Sequence, residues 1–284
     1  MKRDTRLAWT LLAPMLIVLA AIALAPLVMT IWESLHRHDL RMPWIGRPYI
    51  GLANYATAAA DARFGAALLH TAVFTGISVA LELTLGLLLA LALDNVRRGR
   101  GAARLIVLLP WALPTVVAAL VWRFLFESPA GLLAFDVEWL SRPIAAWVPI
   151  VLADVWKSTP FVALLLLAGL QAIDPALYDA ARLDGATAWR RFTNITLPLL
   201  RPALLVALIF RTLDAFRVFD VVYVLTGGGP GTATEVVSLY AFTSLLQDLR
   251  FGYGSALSVT IFGVTFMLAL LYIRALGAPV AEDA

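Results

Sequence analysis

The chain has 284 residues, of which 61% are hydrophobic and only 14% charged, against roughly 25% charged in an ordinary soluble domain, so it belongs in a bilayer. Its 22 basic and 19 acidic residues leave a formal net charge of only +3, and the basic ones sit at the edges of apolar runs, not in a patch suited to nucleic acid. The absence of cysteine excludes disulfides, thiolate metal sites and cysteine nucleophiles.

Lys2, Arg3 and Arg6 precede an apolar run from Leu7 to Trp32, long enough to span with some tilt. Ala23-Leu24-Ala25 is similar to a signal-peptide cleavage site, but the run far exceeds a signal core of about 7 to 15 residues. Trp32 also suits an interfacial anchor, so the run reads as a retained first span. Glu33 to Ala66 is a polar loop rich in turn residues, and a second span extends from Leu68 to Leu93. Arg97, Arg98, Arg100 and Arg104 follow it. Span three, Leu105 to Phe126, contains Pro110 and Pro114 and is expected to kink. After an outer loop from Glu127 to Ala146, span four (Trp147 to Leu170) is interrupted by Asp154, Trp156, Lys157 and Pro160, giving it the weakest hydropathy signal of the six.

Asp174 to Pro202 is a polar, helix-coded segment between two long apolar runs. Asp174 followed by Pro175 is a helix start, because the carboxylate accepts from first-turn amides and proline needs none at the first helical position. Gly185 permits a bend, a second short helix is expected over Ala186 to Thr196, and Pro198 and Pro202 mark the return to the apolar phase. Span five is read over Ala203 to Leu225, a glycine-rich turn over Thr226 to Thr234, and span six over Ala256 to Ile273, with Arg274 and the acidic tail Glu282-Asp283 behind it. No internal repeat is evident, so residues 1–284 read as one domain of six spans. With the N terminus inside, twelve basic residues fall on inner segments, six on outer loops and four within spans; that excess puts both termini in the cytoplasm.

The residues Asp179-Ala180-Ala181, Asp184-Gly185-Ala186, Phe192, Ile195 and Leu197-Pro198 resemble the EAA loop of bacterial ABC importer permeases. Asp179 stands where that family usually has glutamate. The resemblance implies that Tyr178, Asp179, Ala180, Ala181, Arg182, Leu183, Asp184, Gly185 and Ala186 dock into an ATPase subunit. Two adjacent alanines let a partner approach the backbone, and the charges suit a polar rim. A helix lying on the membrane surface would favour Lys and Arg on its polar face; this one mixes signs around a central glycine.

Phe219-Asp220, Tyr223, Leu225-Thr226-Gly227-Gly228-Gly229-Pro230 and Thr234-Glu235 look like the outer end of span five in carbohydrate importers of the maltose type. Gly51-Leu52-Ala53-Asn54-Tyr55 resembles the stretch that sugar permeases carry after their first helix. Gly227, Gly228, Gly229 and Pro230 fit contact with a solute-binding protein, or a plain tight turn between spans. The family implies an all-α, polytopic, six-span protein of the type I ABC importer permease fold, with a family core over 68–274 and a docking loop over 174–198. It implies a cargo that is a di- or oligosaccharide, membrane lipid around the spans, and a place in the bacterial cytoplasmic (inner) membrane. The partners implied are a second, homologous permease, two ATP-binding subunits that hold ATP and Mg, and an extracytoplasmic sugar-binding protein; this chain itself needs no cofactor.

The chain carries no ATP-binding motif: its triple glycine is followed by Pro230, and its only lysines are Lys2 and Lys157. It has no nucleophile or metal constellation of an enzyme, and its histidines are His36, His38 and His70. Charges inside spans are costly and mark functional sites by default. Arg211, Asp214, Arg217 and Asp220 recur every three residues on span five, with either a substrate wall or a self-satisfied ladder as their use. Glu82 lacks a partner in its own span and is a candidate to meet Arg211 or Arg217. Together with these four it forms the candidate substrate path, whereas Asp154 and Lys157 are expected to neutralise each other. Trp111, Trp122, Trp147 and Trp156 suit either sugar stacking or interfacial anchoring. The rival reading is an ion-coupled secondary carrier, which predicts paired repeats with broken helices in both halves.

Overall fold

The computed structural model describes residues 2–277 except 97, 128, 130 and 136; Arg97 of the basic cluster and the acidic tail Glu282-Asp283 lie outside them. Among the described residues, five helices are long and apolar enough to cross a membrane, and a sixth span forms if one bent pair is counted as a single crossing. Among the described residues the fold is all-α, as expected, with one isolated bridge between His36 and Tyr49.

The first span is α1 (Lys2–Leu19) and α2 (Ala25–Ser34), joined by a wider turn over Ala20–Leu24. That widening lies just ahead of Pro26, whose missing amide cannot continue the regular ladder. The apolar window of this span is exposed along its length. The loop after the first span holds α3 (Ala53–Ala60), and α4 (Ala62–Asp94) follows directly. Asp61 starts α4 by accepting from the amide of Arg63 at 2.9 Å, so the helix begins six residues before the apolar run that marks the span. At 33 residues it is roughly 50 Å long, well beyond the roughly 30 Å of a hydrocarbon core.

Span three is broken, not merely kinked. Helix α5 (Arg100–Ala112) ends ahead of Pro114, α6 (Thr115–Phe126) leaves at 85°, and Pro110 remains inside α5. The residue before a proline is pushed out of the helical region, and Leu113 indeed adopts an extended conformation. Helix α7 (Trp147–Gln171) is the most buried of the candidate spans, with α5, α6 and α10 packed on it. Its weak hydropathy follows from that position, since its polar side chains meet protein and not lipid.

Helix α8 (Pro175–Leu183) is capped by Asp174, whose carboxylate accepts from the amide of Ala176 at 2.9 Å. Gly185 closes it in the left-handed region (φ +74°), letting the amide of Ala186 reach the carbonyl of Ala181 at 2.9 Å. Thr187 then caps α9 (Ala188–Arg191). From there the backbone stays helical through a wide turn at Phe192–Thr196 into α10 (Leu197–Ala215), so Pro198 and Pro202 do not interrupt it. Span five therefore runs earlier than read from the sequence and stops at Ala215, ten residues short of Leu225. Residues 216–219 break the helix, and α11 (Asp220–Leu225) is a separate short element.

The glycine-rich stretch is a hydrogen-bonded turn. Gly227 and Gly228 have φ of +61° and +89°, the Thr226 and Thr234 hydroxyls lie 2.8 Å apart, and the amide of Thr234 reaches the carbonyl of Gly228. Behind it, α12 (Val237–Phe242) and a wide turn at Thr243–Gln247 form a helical segment that the sequence reading passed over. Span six, α13 (Phe251–Gly277), begins five residues before its apolar run.

The chain divides into two compact units, Met1–Ala66 with Tyr240–Val264 and Ala67–Leu239 with Thr265–Ala284. In the second, Ala90, Val162, Leu166, Leu170, Leu200 and Ala207 form one core shared by α4, α7 and α10. A Cβ at Gly86 would come within 2.5 Å of Val162, and one at Gly169 within 2.7 Å of Ala203. These glycines let the helices meet at backbone distance, as small residues do in membrane bundles.

Candidate functional site

Three features of the second unit are candidates for function, and the first is the α8–α9 elbow. Tyr178 faces inward: its hydroxyl lies 3.0 Å from that of Thr196, and its ring, like Ile195, packs on the shared core. The opposite face is open. Leu183 is 90% exposed and Trp189 73%, while Ala180, Asp184 and Gly185 are also exposed. Asp179 pairs with Arg182 at 2.7 Å on the surface, and Arg191 closes the elbow by donating to the carbonyl of Ala186 at 2.6 Å. Two large apolar side chains left exposed beside a charged pair have no role in this chain's own core. The elbow thus has one side packed on the core and one side exposed.

The second feature is the charge cluster. Arg211 on α10 grips Glu82 on α4 with both its Nε and its Nη2, the latter at 2.7 Å from Oε1. Its Nη1 donates to Asp214 Oδ2 at 2.5 Å, and Nη2 also reaches Asp154 Oδ2 on α7 at 3.3 Å. Glu82 is fully buried and Arg211 nearly so. One guanidinium therefore ties three spans, and its planar fork suits the bidentate grip on Glu82. The expected pairing of Asp154 with Lys157 does not form. Lys157 Nζ instead donates to the carbonyls of Leu113 at 2.7 Å and Trp111 at 3.1 Å. Those are last-turn acceptors that α5 leaves without partners where span three breaks, and a cation there also complements the helix dipole.

The third feature is a cavity of about 500 Å³ beside the cluster, lined by Trp111, Lys157, Ser158, Phe161, Arg211, Asp214 and Arg217 among others. Trp111 and Phe161 stack with centroids 6.1 Å apart, so aromatic faces stand beside charged groups. Of the expected substrate path, Arg211, Asp214 and Arg217 line this cavity. Glu82 is buried behind it, and Asp220 begins α11 outside the lining. Because α10 ends at Ala215, no single ladder joins Arg211 to Asp220. Sequence reasoning missed Ser158 and Phe161 and gave Lys157 only a structural pairing. Their spacing along α7 from Asp154 places them on its polar side, a signal that weak hydropathy already offered. Trp122 and Trp156 lie in a separate apolar groove, and Trp147 donates to the carbonyl of Ala233 at 3.1 Å. Among the glycine-turn residues, Gly227 is exposed, Gly228 buried, and Gly229 and Pro230 half-buried.

The first unit is organised around the loop between the first two spans. Asn54 Nδ2 donates to the carbonyls of Ser34 and His36, and the Tyr55 hydroxyl lies 2.6 Å from that of Ser34. The Gly51 to Tyr55 stretch thus closes the end of α2. His38 Nδ1 lies 2.7 Å from Glu33, and His36 Nδ1 the same distance from the carbonyl of Trp32, so the two rings serve the loop separately. Asp39 is gripped by Arg41 at 2.7 Å, and that hydrogen bond holds its carboxyl at about 2. Asp61 accepts from Tyr240 at 2.5 Å and Tyr253 at 2.6 Å. Burial pushes its pKa up, but these two hydroxyls, together with the backbone amides of Arg63 and Phe64, outweigh it and keep the group below its ordinary value.

Comparison with known proteins matches residues 82–279 to the family described as binding-protein-dependent transport system inner membrane component. The chain is 45% identical over 281 residues to the trehalose/maltose transport system permease protein MalF of Thermococcus litoralis, covering 96% of this chain and 94% of that one. It is 42% identical to the trehalose transport system permease protein SugA of Mycobacterium tuberculosis, covering 97% and 90%. Its structure superposes with a TM-score of 0.82 on a chain of a bacterial ABC transporter that imports the acidic polysaccharide alginate, at 26% identity and with 96% of each chain covered.

Proposed function

Because the chain belongs to the family of binding-protein-dependent transport system inner membrane components, we propose that it forms the membrane path of an ABC importer for a di- or oligosaccharide. The observation that supports this reading is the elbow: an anchored, glycine-closed helix pair leaves Leu183 and Trp189 exposed in a chain with no nucleotide-binding motif. A motor from another polypeptide gives that surface a use, whereas an ion-driven carrier leaves it without one. The partners are a second, homologous permease, two ATP-binding subunits that hold ATP and Mg, and an extracytoplasmic sugar-binding protein.

In this reading both termini and the elbow face the cytoplasm. Closure of the ATPases pushes on residues 178–186, and Tyr178 with Ile195 passes that displacement to the core that α4, α7 and α10 share. The close contact at Gly169 and the Arg211 cluster make those spans move together. The cavity then opens outward, with Trp111 and Phe161 offering flat faces to a sugar ring and Ser158, Asp214 and Arg217 its hydrogen-bonding groups. The glycine turn, with Gly227 exposed, provides the contact for the sugar-binding protein.

The test is uptake of a labelled disaccharide by vesicles holding the assembled complex. Uptake that needs both internal ATP and the binding protein supports the assignment; uptake by this chain alone on an ion gradient refutes it.

A further inference from the structure

The inside corner of the broken span forms a groove unconnected to sugar or motor. It is bounded by Leu89 on α4, Val107 and Pro110 on α5, Trp122 on α6, and Leu152 and Trp156 on α7, and encloses about 450 Å³ with an almost wholly apolar lining. It opens sideways: Leu152 is 42% exposed, and Trp156 40%. The groove is walled by α4 and α7, both long and apolar enough to cross a membrane, so an exposed apolar wall needs no special explanation there, but a concave one selects what fills it.

What enters is constrained by size and by charge. A helix with its side chains is about 10 Å across, so a 15 Å length of it needs about 1,200 Å³, far more than this groove encloses; a single hydrocarbon chain needs much less. On α5, Arg100, Arg104 and Val107 follow at intervals of four and three residues, which lays them along one face. Arg100 and Pro110, ten residues apart, are separated by about 15 Å. The basic end thus lies at the start of α5, where a headgroup belongs, and the apolar end reaches into the span. Arg98 and Arg100 are exposed, Arg100 is steadied by its own donation to the carbonyl of Val96 at 2.6 Å, and among the described residues no carboxylate pairs with Arg98, Arg100 or Arg104.

We propose that this groove is a binding site for one anionic phospholipid of the cytoplasmic leaflet, with an acyl chain against Val107, Pro110 and Trp156 and the phosphate on Arg100 and Arg104. Basic pockets between spans on the cytoplasmic side recognise anionic headgroups in this way. The bound chain fills the corner between α5 and α6 and braces the 85° bend whose far end Lys157 holds. The inference rests on the cytoplasmic placement of the basic segment given above.

The test uses the assembled complex, purified in detergent from membranes containing phosphatidylglycerol, with retained lipid counted by mass spectrometry. Two basic contacts at about 1 kcal/mol each correspond to roughly 30-fold weaker association. The Arg100→Gln, Arg104→Gln double variant should therefore lose retained phosphatidylglycerol, while Arg100→Lys with Arg104→Lys keeps it. Leu152→Trp, which fills the groove without touching the basic residues, should lose it as well. ATP-dependent sugar uptake measured on the same samples separates the two levels: working uptake with retention unchanged in the Gln and Trp variants overturns the lipid site alone, and absent uptake in the unaltered complex overturns the importer reading. A photoreactive side chain in place of Ile106 should label phospholipid; labelling of the second permease overturns the site.

Discussion

Arg211 Nη2 on α10 donates to Glu82 Oε1 on α4 across 2.7 Å, and its Nε takes the other carboxylate oxygen, with both side chains withdrawn from solvent. Removing one partner of a buried ion pair leaves an uncompensated charge, at a cost of about 3–5 kcal/mol. Arg211→Met alone should sharply lower the melting temperature of the purified complex. Glu82→Leu combined with Arg211→Met should recover much of that loss, because replacing both partners by apolar groups of similar volume is often neutral. A double variant no better than the single would show that the loss comes from Asp154 and Asp214, which also accept from Arg211, and not from Glu82.

Lys157→Met removes the cation from the last carbonyls of α5. The ammonium also lines the cavity, so water can replace part of its work and the expected destabilisation is about 1 kcal/mol. The larger effect should fall on sugar: the break angle positions Trp111, and the half-saturating sugar concentration should rise several-fold. Lys157→Arg, which keeps the charge, should restore most of it; equal loss in both variants would contradict the capping role.

Gly185→Val places a β-branched residue at φ +74°, although no atom lies within 4 Å of the added Cβ. The penalty is therefore backbone strain of about 1–2 kcal/mol and not a clash. Membrane insertion should be normal, while sugar-stimulated ATP hydrolysis is lost. Unchanged stimulation would count against the elbow as the lever.

Asp61 binds the hydroxyls of Tyr240 and Tyr253, and its folded pKa lies below the ordinary value. A group with a depressed folded pKa contributes stability above its unfolded pKa, about 3.9 for aspartate, and loses it as pH falls through the folded value. Asp61→Asn should destabilise the protein at neutral pH by on the order of 1 kcal/mol. The gap between variant and wild type in thermal melts should narrow below about pH 4. A gap constant from pH 7 to 3 would exclude the carboxylate as its source.

Much of this architecture is legible in the order of the residues, because lipid enforces long apolar runs and the elbow is written in cap chemistry. Asp174-Pro175, Gly185 and Thr187 each act where their side chains or lack of one require. The end of span five was not legible: residues 216–219 contain neither glycine nor proline, and Val221 and Val222 continue the apolar run because they are buried in protein, not in lipid. The same ambiguity hid α12, whose Val237 and Leu239 are fully or almost fully buried. Span four erred the other way, its polar residues being affordable because protein surrounds them. Asp154 and Lys157 look like partners at a separation of three residues, but Asp154 accepts from Arg211 on α10, and Lys157 donates to the carbonyls of Trp111 and Leu113 at the end of α5.

The lack of cysteine makes Leu183→Cys a clean probe of the elbow. In inside-out vesicles of the assembled complex, that thiol should crosslink to the ATP-binding subunit at short range and be shielded from a membrane-impermeant reagent when the subunit is present. A thiol that reacts only from the opposite face of the membrane, or that finds no ATP-binding subunit within reach, would contradict the placement on which the transport mechanism depends.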